Sequence, residues 1–362
     1  MNLNTYSTII GSGSFIPKNI VKNSDFLSNE FYDSEGVIIP KSNEEIITKF
    51  QEITEIEERR YADKDHVTSD IGFFAAELAI ENAKIDKETL DYIIVAHNFG
   101  DVKSTIHKVD IVPSIAARVK SKLQIENPYC VAYDLPFGCP GWVQGMIQAD
   151  YYIKSGDAKR IMVIGAETLS RISDPHDIDS MIYSDGAGAV ILEAKQSETP
   201  IGILTHKTRS DTFEHADLLN MGHTYHKTKG DDRIYIKMNG RKLYNYALTY
   251  VPQLVKDTLD KVNLPISKIS KVLIHQANAK MDDAILNRLF KLYHLKGHDI
   301  PKNLMPMTIA KFGNNSVATV PVLYDMIMRG EMENQTMKSG EYVVFTSVGA
   351  GMNVNAFVYK MP

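Results

Sequence analysis

Cysteine is scarce in this chain: Cys130 and Cys139 are the only two among 362 residues. That excludes a disulfide scaffold and fits a reducing compartment, so a cytoplasmic protein is expected. Neither a CxxC nor an HExxH spacing occurs and the eleven histidines are scattered, so no metal site is expected. No apolar run approaches the roughly 18 residues of a membrane-spanning helix. The opening Met1-Asn2-Leu3-Asn4-Thr5-Tyr6 lacks the basic-then-apolar pattern of a secretory signal. Positive charge is not in excess: the formal net charge is −5, and bulk charge gives no reason to expect nucleic acid as a partner. No stretch rich in Pro, Gly and Ser divides the chain, so one compact unit is expected rather than separate domains on a linker.

What the chain does have is an ordinary globular composition, 44% hydrophobic and 23% charged, and an internal repeat. Asn82-Ala83-Lys84-Ile85-Asp86 leads into the apolar run Asp91-Tyr92-Ile93-Ile94-Val95-Ala96 and then His97. Lys261-Val262-Asn263-Leu264-Pro265 leads into Lys271-Val272-Leu273-Ile274 and then His275, an offset of about 178. Arg160-Ile161-Met162-Val163-Ile164 matches Glu341-Tyr342-Val343-Val344-Phe345 at a similar offset. Each half reads as helices, such as 71–83 and 243–262, alternating with short strands, 93–96, 161–164, 272–274 and 343–346. Wholly apolar strands suit a sheet covered on both faces, and the alternation points to an α/β fold. The halves divide near 193–200, giving 1–195 and 196–362.

Phe137-Gly138-Cys139-Pro140-Gly141-Trp142 opens a helix-like run, 143–153. Proline fits the first helical position, which places Cys139 at the N-cap. Free amides and the helix dipole favour negative charge there, so the thiol is expected to ionise more readily than a free cysteine and to accept an acyl group. A buried, inert cysteine is the plain alternative. Adding the repeat offset to Cys139 reaches Gly313-Asn314-Asn315-Ser316, the equivalent helix start in the second half. Strand C-termini and helix N-termini gather at one face of such folds, so Cys139, His275 and Asn314 are expected to share one pocket.

These residues also carry a family resemblance. His275-Gln276-Ala277-Asn278, Phe312-Gly313-Asn314-Asn315-Ser316 with Val320-Pro321, Tyr183-Ser184-Asp185-Gly186-Ala187-Gly188-Ala189, and Ile9-Ile10-Gly11-Ser12-Gly13 occur in the order and context of the thiolase superfamily. The chain is most similar to its β-ketoacyl-acyl-carrier-protein synthase III members. The resemblance implies a thiolase-like fold, two pseudo-symmetric halves forming a layered αβαβα sandwich. It implies an acyltransferase that loads an acyl thioester onto Cys139 and condenses it with a malonyl or β-ketoacyl carrier protein, in fatty acid or related polyketide biosynthesis. The implied triad is Cys139, His275 and Asn314, with an oxyanion hole from the backbone amides of Cys139 and Ala350. Acyl carrier protein, acyl thioesters and a second copy of the chain are the implied partners. No cofactor is implied beyond the thioester carriers themselves. Asn278 is expected to support loop geometry.

Departures from the family pattern matter as much. The glycine triplet after the last strand reads Gly349-Ala350-Gly351, so Ala350 must tolerate a Cβ there. Ile46 and Ile178 stand where coenzyme-A-using members have the Trp and Arg that clamp adenine, and Glu57 stands for a phosphate-contacting Arg. Arg59 or Arg241 is available to compensate. A carrier protein donor is the simpler expectation, docking on Lys280, Arg288, Arg241 and Lys242; the plain alternative is that these are solvated surface charges. Val112 stands at the acyl-pocket gate, which the family supplies from the partner subunit, and its small size favours longer acyl groups. Enzymes joining two longer chains into resorcinols, pyrones or ketones are therefore an alternative, as is a hydroxymethylglutaryl synthase. A degradative thiolase would need a second cysteine near the C-terminus, and a papain-like protease would not explain the repeat.

Overall fold

Apolar runs longer than one sheet face requires force helices onto both sides of each sheet, and five layers result. The computed structural model describes residues 3–227 and 232–362. The first sheet is built from β1 (Asn4–Phe15), β2 (Tyr92–His97), β3 (Val131–Pro136), β4 (Arg160–Thr168) and β5 (Asp185–Ser197), in the spatial order β1-β5-β4-β2-β3. Strands β3, β2 and β4 run parallel, while β5 is antiparallel to both β4 and β1. The second sheet uses β6 (Gly202–Ser210), β7 (Ile269–Ile274), β8 (Tyr342–Gly349) and β9 (Asn353–Lys360), in the order β6-β9-β8-β7, with β7 parallel to β8.

Two helices cover the outer face of the first sheet: α2 (Thr68–Ala83) and α3 (Ile115–Lys122). Ile71, Ala75 and Val119 meet Ile93, Val95 and Ile164 there. The odd-numbered residues of β2 face this layer, and Ile94 and Ala96 face the other way, as strand alternation requires. The central layer is α4 (Gly141–Ser155) and α7 (Thr319–Met328), buried between the sheets. Trp142, the single tryptophan, packs there with its ring 6.1 Å from that of Phe345, and its indole N–H donates to the Val163 carbonyl at 3.3 Å. Against the second sheet's outer face lie α5 (Gly240–Asp260) and α6 (Ala279–Lys291). A further helix, α1 (Asn43–Thr54), belongs to a cap over the end of the molecule where β2 and β7 stop. Each buried Leu, Ile or Phe side chain stabilises these layers by about 1.5–3 kcal/mol.

The repeat expected from the sequence appears in the topology. Helices α4 and α7 begin at Gly141 and Thr319, 178 residues apart, and each follows an equivalent turn. Among the described residues the second sheet has no regular fifth strand. Residues 301–307, where Pro301 and Pro306 interrupt any ladder, run beside β7 instead. Val272 N–H donates to the Leu304 carbonyl at 2.7 Å, and the Gln276 side chain finishes the seam. Its amide donates to the Pro306 carbonyl, and its oxygen accepts from the N–H groups of Thr308 and Ile309. Every expected strand is present, each extending past its apolar run, because pairing continues through flanking polar residues.

Gly165 on β4 sets the spacing between the first sheet and the turn before α7. A Cβ there would lie 2.3 Å from the Val317 carbonyl oxygen. Gly165→Ala is therefore expected to push that turn outward and cost about 1–3 kcal/mol, read as a lowered melting temperature.

Candidate active site

Cys139 stands in the turn leaving β3, whose Gly141 N–H donates to the Gly138 carbonyl at 2.9 Å. The residue at the helix N-cap is Pro140 rather than Cys139 (φ −75°, ψ 4°), so the cysteine sits one residue further out than the sequence suggests. His275 follows the last residue of β7, and its N–H donates to the Thr346 carbonyl of β8. Asn314 bridges to Tyr183: its N–H donates to the Ile182 carbonyl, and its carbonyl accepts from Ser184, both at 2.9 Å. Asn314 Oδ1 accepts the Ser316 N–H at 2.8 Å, which leaves the amide nitrogen as its donating end. The turn after β8 passes directly behind the cysteine. A Cβ on Gly349 would lie 2.8 Å from the Cys139 nitrogen, so only glycine permits this approach. Ala350 avoids a positive φ, which falls on Gly351 (φ 110°). The Cβ of the unexpected alanine is therefore unstrained.

Cys139, His275, Asn314 and Ala350 line one cavity of about 900 Å³ with largely apolar walls. Ile46 and Ile178 are both among those walls. Asn278, which also reaches the cavity, caps α6 by accepting the Met281 N–H at 3.1 Å.

Desolvation governs the charges here. Cys139 keeps some exposed surface because it opens to the cavity, but it lies deep within the chain. Burial pushes its thiol up from the ordinary 9.0 to about 11, a Ser316 hydrogen bond works the other way, and Glu167 adds to the rise. Burial thus works against the readily ionised thiol expected at the helix terminus. Burial also lowers His275 to about 4, a Ser316 backbone hydrogen bond opposing, so the imidazole is neutral at pH 7. Its Nδ1 is buried and has no hydrogen-bond partner among the described residues.

Several other expectations are corrected. Glu57 lies off the cavity, half-exposed and paired with Lys311. Arg59 is fully buried, donating to Met181 and Val21 carbonyls and to Asn23 Oδ1, and stacked on Phe26. Committed to the cap's core, it is out of reach of a phosphate. Val112, expected as a gate supplied to the pocket of a partner subunit, is 82% exposed and outside its own chain's cavity, which leaves that expectation standing. Arg118 ties Asp101 and Asp110 together at 2.7 Å each and folds that loop outward, so Asn98 and Phe99 at its start are its residues at the cavity. Arg241 does reach the cavity edge, together with Lys41 and Lys49, which sequence reading missed. Lys242, Lys280 and Arg288 are exposed on α5 and α6, and the Arg288 guanidinium donates to the Leu248 carbonyl. Also missed were Glu167, Asn98 and Ser316 behind the thiol, and the wall carboxyl of Asp179, which burial and the adjacent Asp177 raise to about 7. Ser316 lies within the Gly313-Asn314-Asn315-Ser316 motif, which could have pointed to it; no motif marks Glu167, Asn98 or Asp179, because each is placed by tertiary contact.

Two family profiles match the chain: 3-oxoacyl-[acyl-carrier-protein] synthase III over residues 133–212, and its C-terminal counterpart over residues 259–361. A β-ketoacyl-[acyl-carrier-protein] synthase III from Vibrio vulnificus is 34% identical over 347 residues, 96% of each chain. The chain belongs to the 3-oxoacyl-[acyl-carrier-protein] synthase III family. A second relative in this synthase III family, from Vibrio parahaemolyticus, is 33% identical over 98% of this chain and 99% of its own. The solved synthase III of Aquifex aeolicus superposes with a TM-score of 0.77 at 29% identity, covering 98% of this chain and 99% of that one. The thiolase-like fold expected from the motifs is therefore established for this synthase III chain. Among its described residues no helix is long and apolar enough to cross a membrane.

Glu167 gives a stability signature. Burial raises its carboxyl from 4.5 to about 7, with His97 and Asn98 opposing. The folded state therefore holds a proton that the unfolded state has lost between those values, and this contribution disappears as pH rises through 7. Glu167→Gln has no such cost. Its melting temperature relative to the parent is expected to climb from pH 5 to pH 8; a flat difference would contradict the assignment. The opposite linkage of His275, lost as pH falls from 6.5 towards 4, is common to both proteins and cancels.

Proposed function

We propose that this protein condenses an acyl group, carried as a thioester on Cys139, with a malonyl or β-ketoacyl carrier protein, as an acyltransferase of fatty acid or related polyketide biosynthesis. The observation that carries this is the convergence of Cys139, His275, Asn314 and the Gly349–Ala350 turn on one largely apolar cavity. In the first half-reaction the Cys139 sulfur bonds the acyl carbon and the carrier's C–S bond breaks. The carrier thiol leaves with the proton that Cys139 gives up, passed through the neutral imidazole of His275. The tetrahedral oxyanion needs two amides, and the close approach of Gly349 to Cys139 supports the Cys139 and Ala350 N–H groups in that role.

A malonyl extender then loses its free carboxylate as carbon dioxide. Its C–C bond electrons become an enolate whose oxygen accepts hydrogen bonds from His275 and the Asn314 amide. The enolate carbon attacks the acyl carbon, and the Cys139 sulfur departs as a thiolate that takes up one proton from solvent, replacing the proton lost to the carrier thiol. A low-dielectric cavity strengthens these neutral donors towards the developing charge. No cofactor enters this scheme.

Ile46 and Ile178 favour a narrower reading, in which longer acyl groups arrive on a carrier protein. Two aliphatic walls offer an adenine neither a stacking plane nor a cation, and they extend the apolar surface. Lys41, Lys49 and Arg241 at the cavity edge, with Lys242, Lys280 and Arg288 beyond, suit an acidic carrier. A homodimer fits the exposed edge strand β3 and the exposed apolar residues Val109, Ile111, Val112 and Tyr129, and it would bring the partner's copy of Val112 towards the pocket as a gate. A hydroxymethylglutaryl synthase would want a glutamic acid beside the cysteine in the cavity, but Glu167 faces Asn98 behind the wall.

Intact-mass measurement after incubation with acyl carrier protein and acyl-coenzyme A donors from C2 to C16 tests this. A mass gain is expected with longer carrier-bound donors and none in Cys139→Ala. Asn314→Ala is expected to load normally and His275→Ala to load more slowly, and both are expected to lose condensation by 100-fold or more, roughly the scale for removing one such donor. Preference for acetyl-coenzyme A would sink the narrower reading alone; absence of any adduct would sink both.

A further inference from the structure

Behind the nucleophile lies a directed chain of hydrogen bonds. Ser316 Oγ stands 3.3 Å from Cys139 Sγ. A serine hydroxyl has a single proton, so whether it faces the sulfur as donor depends on its other partner. That partner is the Asn98 amide nitrogen, 2.9 Å away, which only donates. Ser316 Oγ must accept from Asn98, and its own proton is left for the sulfur. Asn98 is held in this orientation by Glu167 Oε2, which accepts the Asn98 backbone N–H at 2.8 Å and a very short bond from the same amide nitrogen. Flipping the amide would set its oxygen against the ionised carboxyl oxygen of Glu167. Ser316 and Glu167 are buried, at 2% and 1% exposure.

The backbone supports the same assignment. Ser316 takes φ +52°, the left-handed region that side-chain-bearing residues enter at some cost, and Asn314 Oδ1 pins its N–H there. The fold thus holds a strained residue in the one position from which its hydroxyl reaches the thiol.

We propose that Ser316 is a catalytic hydrogen-bond donor to the Cys139 sulfur, and that Asn98 and Glu167 are positioning residues that keep it donating. This rests on the reading of Cys139 as the acyl-bearing nucleophile. A donated proton favours the thiolate over the thiol, while the nearby Glu167 carboxylate disfavours it. The titratable groups around the sulfur are Glu167 at the end of β4, His275 beyond β7 and Tyr183 before β5, with His97 behind Glu167. Ser316 and Glu167 therefore act on the thiol with opposite signs.

The test is the rate of Cys139 alkylation by iodoacetamide against pH on the full chain, followed on the Cys139 peptide so that Cys130 does not interfere. Ser316→Ala is expected to raise the midpoint by about one pH unit and to slow alkylation at pH 7 by about tenfold. Asn98→Ala is expected to raise it by less, because the hydroxyl becomes free to turn away. Glu167→Gln, which keeps an accepting oxygen for Asn98, is expected to lower it. An unchanged midpoint in Ser316→Ala would overturn the proposal. Should that variant not fold, an unchanged midpoint in Asn98→Ala does the same. Because alkylation needs no acyl donor, a protein that follows this pattern but never loads an acyl group would refute the synthase reading and leave the hydrogen-bond chain standing.

Discussion

The backbone of Gly349 pressed against the backbone of Cys139 is the contact on which the rest of the site depends. No side chain fits between them, with a Cβ landing 2.8 Å from the cysteine nitrogen. This contact joins the turn after β8, in the second half, to the turn after β3, in the first. It holds the Ala350 backbone beside the thiol and brings the ends of both sheets to one face. His275, bonded to Thr346 on β8, is positioned through the same strand. The central helices α4 and α7 hold the two sheets at the separation that makes such a contact possible.

Burial then sets the chemistry. The same desolvation that raises Cys139 lowers His275 and raises Glu167, so the resting site carries little net charge. A neutral imidazole, a carboxamide and backbone amides are fixed dipoles that need not reorganise when an oxyanion forms. Short-range donors, Ser316 foremost, are what reach the sulfur.

The layered fold was legible because apolar strands buried on both faces leave an unmistakable pattern, and because the duplication prints it twice. Cys139, His275 and Asn314 were legible from motif and offset, and all three reach the cavity. What the sequence concealed depends on direction rather than type. Arg59 reads as a cation available to phosphate, yet its guanidinium points into Phe26 and Asn23. Glu167 ends a strand with no motif around it, and its closeness to the thiol arises only when Asn98 and Ser316 meet across the two halves. The edge segment 301–307 shows the duplication breaking down, where prolines removed a strand and the Gln276 side chain took over its hydrogen bonds.

The central claim is carbon–carbon bond formation at Cys139, and product analysis addresses it most directly. Purified protein would be given a long-chain acyl carrier thioester and malonyl carrier protein, with carrier-bound products and released carbon dioxide quantified together. The account predicts a 3-oxoacyl product two carbons longer than the donor, formed one-for-one with carbon dioxide and absent in Cys139→Ala. Loaded acyl group released only as free acid, with no decarboxylation, would contradict it.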